Sequence, residues 1–245
     1  MRIRQDICIS CYSCVPFCPV NAIAVIGDRV SLNEDECVEC GICLAFARCP
    51  VDAIEDVSSL SDEDRYLRSA FSNPLKPHKK TTSTGRGTEE MKTNDVTNRY
   101  PPGIFGMAIE VGRPGTGARF RVFETICKAL APLGVTYETA NPVYDLMEDP
   151  TTGEFKKEYL NVKVLSGVIE LIAPLEKLED VLNVLREIEK DIETVFSVSV
   201  ISKVTEDNSI PTQKIIENAG VTLRPNGKTN VGLGFVPAKG VCHDA

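Results

Sequence analysis

Eight of the ten cysteines lie within the first fifty residues, in two sets of four. Cys8, Cys11, Cys14 and Cys18 follow the spacing C-x2-C-x2-C-x3-C, with Pro19 next; Cys37, Cys40, Cys43 and Cys49 follow C-x2-C-x2-C-x5-C, with Pro50 next. Thiolates are soft ligands, and four of them at the corners of a tetrahedron hold zinc or an iron–sulfur cluster. Two intervening residues let the chain curl around one face of such a group. Three thiolates then come from one loop, and the fourth must come from elsewhere. Zinc also takes C-x2-C pairs, but it asks for four thiolates rather than a triplet with an outlying Cys-Pro. A disulfide framework fits less well. The opening Met1-Arg2-Ile3-Arg4-Gln5-Asp6 has no apolar signal run, so a reducing, cytoplasmic setting is expected.

The surroundings repeat with the cysteines. Pro19-Val20-Asn21-Ala22-Ile23 recurs as Pro50-Val51-Asp52-Ala53-Ile54, each directly after a fourth cysteine. Ile7, Ile9, Val15, Val25, Ile42 and Leu44 are apolar and suited to wall a metal group from water. Gly27-Asp28 between Ala24-Val25-Ile26 and Val30-Ser31-Leu32 predicts a hairpin. On these residues the region 1–57 resembles bacterial two-cluster ferredoxins. The resemblance implies two 4Fe–4S clusters and one-electron chemistry at low potential. It also implies exchanged fourth ligands: cluster one on Cys8, Cys11, Cys14 and Cys49, cluster two on Cys37, Cys40, Cys43 and Cys18. The departure is two extra residues before Cys49, Ala47-Arg48 in the simplest alignment. They enlarge the loop near cluster one and put a cation beside a ligand. Arg48 then raises that cluster's potential, contacts a partner, or is simply a solvated loop residue.

At 245 residues the chain exceeds a ferredoxin several-fold, so a second domain is expected. Hydrophobic content is 42%, enough for an ordinary core, and no apolar stretch is long enough to span a membrane. The net charge of −8 argues against nucleic acid, which wants a basic face, and for docking on a basic patch of a redox partner protein. The charge is uneven. Residues 1–60 carry four basic and nine acidic side chains, residues 61–102 eight and six, and residues 103–245 fifteen and twenty.

The basic middle segment, 58–102, opens on Ser61-Asp62-Glu63-Asp64, a helix N-terminus leading to about Ala70. Prolines, glycines and a Thr/Ser run follow, with Tyr66, Leu67, Phe71, Met91, Val96 and Tyr100 as anchors. An extended, docked segment is expected rather than a free linker. From residue 103 to 204 the pattern reads strand Ile104–Val111, helix Ala118–Pro132, strand Val135–Glu138, long strand Leu160–Ala173, helix from Pro174, and strand Ile192–Val204. That order predicts an α+β chain whose second domain is a βαββαβ sandwich. By element order alone this resembles small-molecule-sensing, dimerising domains of the ACT type, which implies a homodimer through the second domain or docking on a larger enzyme. A helix from Pro211 to Ala219 and an extended stretch complete residues 205–245. His78 and His243 are placed in mobile stretches, Cys127 in a core, and Cys242 at an exposed end.

Four basic residues are candidate anion or partner contacts: Arg86 beside Gly85 and Gly87, Arg113 and Arg119 around a glycine-rich turn at a helix N-terminus, and Lys228 in Gly227-Lys228-Thr229. The last echoes a P-loop ending but lacks its earlier glycine. Gly85–Thr97 and Arg224–Gly234 look like stretches of ferredoxin-fusion proteins of strict anaerobes. The leading expectation is an iron–sulfur electron-transfer subunit of an anaerobic oxidoreductase, with no catalytic residue of its own. The alternatives are an enzyme component of anaerobic sulfur metabolism with its substrate between domains, held by Arg86, Arg113 or Lys228, or a redox-linked metabolite sensor.

Overall fold

The computed structural model describes residues 1–57, 62–79, 82, 99–112 and 115–224. Arg86, Arg113, Lys228, Cys242, His243, Met91 and Val96 lie outside the described residues, so the expectations placed on them do too.

The first unit is built from small pieces: β1 (Arg2–Ile3), the hairpin β2 (Ile23–Ile26) and β3 (Arg29–Leu32), a short helix α1 (Ile42–Phe46) and β4 (Ile54–Glu55). β1 pairs antiparallel with β4, Ile3 opposite Ile54, while β2 pairs with β3, Ile23 opposite Leu32. The two ribbons occupy equivalent places in the two sequence repeats. Their buried residues Ile3, Ile23, Val30 and Ile54 pack with Met1, Ala22, Ala47, Cys37 and Cys43.

The helix α2 (Glu63–Ser72) follows. Asp62 caps it, its Oδ1 accepting from the backbone N–H groups of Asp64 at 3.0 Å and Arg65 at 3.3 Å. Leu67 and Phe71 on one face are buried in the core of the second unit, and Arg65 and Arg68 on the other reach the first. The segment after it is not loose at its start. His78, expected in a mobile stretch, is buried against Tyr66 and Phe71, with ring centroids 6.5 and 6.1 Å apart.

The second unit contains β5 (Ile104–Val111), β6 (Ala118–Arg119), α3 (Phe120–Leu130), β7 (Thr136–Tyr137), the hairpin β8 (Met147–Asp149) and β9 (Glu154–Phe155), β10 (Lys163–Val164), β11 (Gly167–Pro174), α4 (Leu178–Ile188), β12 (Phe196–Ile201) and α5 (Pro211–Asn218). Its main sheet has the order β12-β5-β11-β7, every pair antiparallel. On β5 the alternate residues Phe105, Met107, Ile109 and Val111 have no exposed surface. They meet the apolar stripes of α3 (Phe120, Phe123, Ile126, Leu130) and α4 (Leu178, Val181, Leu185) in one core. On the opposite face Tyr100 lies over Gly106; a Cβ there would stand 2.3 Å from its ring, so only glycine admits this anchor.

Most expected bounds shift by a few residues, the helix expected from Pro174 starting at Leu178, and three change for a tertiary reason. The helix expected from Ala118 starts at Phe120 because β6 pairs with β10, Arg119 opposite Lys163. The strand expected over Leu160–Ala173 is two strands: Leu165 leaves the ladder to donate its N–H to Ser72 Oγ of α2 at 2.8 Å. The last strand, expected over Ile192–Val204, is confined to the stretch of β12 that pairs with β5.

Candidate metal centres

Two cavities open among the short elements of the first unit. One, about 320 Å³ with its open mouth, is lined by Cys8, Cys11, Cys14 and Cys49 together with Ile3, Ile9, Val30, Val51 and Ile54. The other, about 290 Å³, is lined by Cys18, Cys37, Cys40 and Cys43 together with Met1, Phe17, Val20, Ile23 and Leu32. Each cavity thus gathers three cysteines of one loop and the outlying cysteine of the other.

The backbone explains how the sequence achieves this twice. In the first loop Ser10 and Tyr12, on either side of Cys11, take left-handed φ of 52° and 64°; in the second Glu39 and Gly41, on either side of Cys40, take 55° and 74°. Each loop is closed at its start in the same way: Cys8 N–H donates to Arg4 O at 3.0 Å, and Cys37 N–H to Asn33 O at 3.1 Å. After each fourth cysteine Asn21 and Asp52 are again left-handed. That turn aims the next N–H back at the sulfur: Ala22 N–H donates to Cys18 Sγ at 3.1 Å, Ala53 N–H to Cys49 Sγ at 3.3 Å. Hydrogen bonds to the ligating sulfurs are among the features that tune an iron–sulfur site. The two extra residues of the second repeat turn a three-residue 3-10 turn (Val15–Phe17) into α1, and leave Arg48 exposed at a φ of 47°.

The electrostatics follow the same grouping. Burial pushes the Cys14 thiol up, and the nearby Cys11, Cys8 and Cys49 add to it. Burial pushes Cys43 to about 12, helped by Cys40, Cys37 and Cys18. Burial also raises Cys37, while the Met1 ammonium, Arg68 and Arg65 pull it the other way. Thiols held this close and dry bind metal by giving up their protons. Among the described residues no group of three His, Cys, Asp or Glu could hold a single metal ion. The donor set, four thiols around an apolar hollow with N–H groups aimed at sulfur, instead fits a cluster with volume of its own, such as 4Fe–4S.

Sequence reasoning missed what surrounds the second cavity. Glu39, 1% exposed, takes the Met1 ammonium on one oxygen and Arg65 at 2.7 Å on the other. Arg65 also pairs with Glu34. Arg68 donates to the carbonyl oxygens of Glu34 and, at 3.1 Å, of Cys37. Glu36, the neighbour of Cys37, takes Arg119 and Lys163, both at 2.5 Å, which tie the second unit to the first. These cations hold the Glu36 carboxyl below its ordinary range, Lys163 most of all. The sequence signal for Arg65 and Arg68 was the basic excess of residues 61–102, and Lys163 had none.

Of the four candidate anion contacts, Arg119 is described. Besides Glu36 it reaches Asn161 O at 2.6 Å. It lines a polar cavity of about 610 Å³ between the units, with Thr116, Arg121, Lys163 and Thr194. The first two N–H groups of α3, expected to be free for an anion, are taken: Phe120 donates to Val162 O at 3.2 Å and Arg121 to Leu160 O at 3.0 Å.

Comparison with known proteins places these observations. Residues 1–24 match the family described as 4Fe-4S binding domain. The N-terminal part of the chain is similar to Ferredoxin-1 of Caulobacter vibrioides, 34% identical over 68 residues, 27% of this chain and 58% of that protein. It is similar to the ferredoxin of Rickettsia felis, 38% identical over 58 residues, 23% of this chain and 51% of that one. It is also similar to Ferredoxin-1 of Rhodobacter capsulatus, 45% identical over 40 residues, 16% and 62% of the two chains. The chain therefore spans between half and two thirds of the length of these relatives. No solved structure matches it. Among the described residues no helix is long and apolar enough to cross a membrane.

Proposed function

We propose that this chain is a low-potential one-electron carrier with two 4Fe–4S clusters, serving as the electron-transfer subunit of an oxidoreductase. Cys8, Cys11, Cys14 and Cys49 hold one cluster; Cys37, Cys40, Cys43 and Cys18 hold the other. The observation that carries this reading is the pair of cavities, each lined by one loop's three cysteines and the other loop's outlying one. The clusters supply reversible one-electron transfer. The protein supplies apolar walls and N–H donors to Cys18 and Cys49. It also ties the two sites into one unit, because each loop completes the other's ligand set. The function is exercised with a redox partner protein in a reducing, cytoplasmic setting, and the −8 charge suits a basic partner face. Anaerobic analysis should give about eight irons and eight labile sulfides per chain, with a reduced spectrum of two interacting clusters. Zinc, or about four irons, would defeat the reading.

The order strand, helix, strand, strand, helix, strand of β5, α3, β7, β11, α4 and β12 supports reading the second unit as a βαββαβ sandwich of the ACT type, docking on a larger enzyme or pairing with its own copy. A second functional reading, a substrate or metabolite site in this unit, draws on the polar cavity lined by Arg119, Arg121 and Lys163, where a ligand would have to compete with their carboxylate partners Glu36 and Glu193 in the same lining. Small carboxylates and phosphates that raise the melting temperature of the holoprotein would favour it. An unchanged melt across such a panel leaves the carrier reading alone.

A further inference from the structure

Arg68 differs from every other cation around the second cavity. Arg65, less than one turn before it, is matched by carboxylates of Glu34, Glu39 and Asp62. The Met1 ammonium is matched by Glu39, and Arg119 and Lys163 share Glu36. Arg68 meets only backbone: Nη1 donates to Glu34 O and Cys37 O. Its Nε is buried without an acceptor, and among the described residues no carboxylate pairs with it. A guanidinium stays charged at any physiological pH. Half-buried and unmatched, it is unfavourable unless a negative charge stands nearby. Cys37, whose carbonyl it grips, lines the cavity of Cys18, Cys40 and Cys43. A cluster there brings that charge, about −2 with its four thiolates and about −3 once reduced.

No Lys or Arg side chain lines either cavity. Beside the first, Arg29 also meets no carboxylate among the described residues, its Nη2 donating to Gln5 O at 2.9 Å, but unlike Arg68 it is exposed. Arg48, beside Cys49, is exposed, so water and salt screen it. The two sites therefore differ in field, and the difference comes from a helix outside the cysteine repeats.

We propose that Arg68 sets the order of reduction, as a positioning residue that makes the site of Cys18, Cys37, Cys40 and Cys43 the first to take an electron. One electron comes from a low-potential one-electron donor protein. No bond forms or breaks, and Arg68 keeps its proton while its attraction to the site grows. The inference rests on the two-cluster reading and adds a direction to it: the site of Cys8, Cys11, Cys14 and Cys49 relays, and the α2-gripped site stores.

The test uses the full-length holoprotein with Arg68→Gln and Arg68→Lys. Iron and sulfide are counted first. About four irons in the wild type overturn the two-cluster reading and this proposal with it, whereas about eight leave the proposal to be judged by itself. Reductive titration is then followed by the proton resonances of the ligating cysteines, assigned residue by residue. In the wild type the Cys37 set should be reduced at the higher potential. Arg68→Gln should lower that potential and leave the Cys8 set where it was, while Arg68→Lys should keep the wild-type order. Unshifted potentials in an iron-replete Arg68→Gln protein, or equal shifts at both sites, overturn the proposal. Should Arg68→Gln fail to load iron, Arg68→Lys decides. Wild-type order supports a charge effect, and an order that narrows or inverts overturns it.

Discussion

Cys49 stands in the second set by sequence and on the wall of the first cavity by position. Its substitution therefore separates the two ways of grouping the ligands. Cys49→Ser should disturb the cluster at Cys8, Cys11 and Cys14 and spare the one at Cys37, Cys40 and Cys43. Cys18→Ser should do the reverse. Cysteine-resolved NMR or spectroscopy of each variant reads the outcome, and damage confined to a variant's own sequence set would refute the exchange. The motif spacing was legible at once, because cysteines at fixed intervals keep their meaning in any fold. The cations gripping the second loop were not. Arg68 and Cys37 are 31 positions apart, and nothing local to either announces the other. Cys127 shows the opposite case of a thiol with no partner set. It has no exposed surface, and burial pushes it up to about 12. At about pH 8 it is a protonated core residue, and reactivity needs an exposed thiolate. Iodoacetamide should leave Cys127 unlabelled in the folded chain and label it only after unfolding. Peptide mass spectrometry decides, and rapid native labelling would show that α3 opens.

At the scale of elements α2 matters most, because it is the only described helix that grips both units. Its N-terminal signal was readable, and Asp62 performs the expected capping. Asp62→Ala removes the acceptor of two backbone N–H groups and the side-chain partner of Arg65 at 3.6 Å. It should cost about 1 kcal/mol by chemical denaturation. A loss well under ~0.5 kcal/mol would mean the cap is idle and packing alone holds the helix. The strand Ile104–Val111 was equally readable, since its alternating apolar residues all face the helices. Elements set by distant contacts were not. The break before β11 depends on Ser72, 93 residues from Leu165. The late start of α3 depends on the pairing of β6 with β10. Helix α1 was unforeseen because five residues inside a cysteine loop are too few to show a helical periodicity.

At the scale of the whole molecule α2, read from sequence as part of the 58–102 segment, packs into the second unit while its arginines reach the first. Leu67 and Phe71 of α2, together with Ile216 of α5 and Ala219 just after it, belong to the same core as the main sheet. A fragment of residues 104–204 lacks these four. Removing one large buried side chain costs ~2–5 kcal/mol, against a usual total of ~5–15 kcal/mol. That fragment should be molten, and residues 62–224 should fold with a cooperative melt; equal melts would put the boundary at residue 104 after all. The first unit is the reverse case. Its core is nine small or medium side chains, two of them cysteines of the second cavity, drawn from under sixty residues. A unit of that size usually depends on metal or cross-links. Anaerobic chelation of the holoprotein should therefore unfold residues 1–57 and leave 62–224 intact. Hydrogen exchange resolved by segment should show protection lost in β2, β3 and α1 and kept in β5, α3 and β11. The contacts between the units include the ion pairs of Glu36 with Arg119 and Lys163, of Arg65 with Glu34 and Glu39, and the grip of Arg68; the solvent-exposed pairs among them carry little stability, and only Arg65 with Glu39 is a buried one. Loss of protection in both units together would show that these contacts couple the folding of the second unit to the metal, and would turn the reading toward a redox-linked sensor.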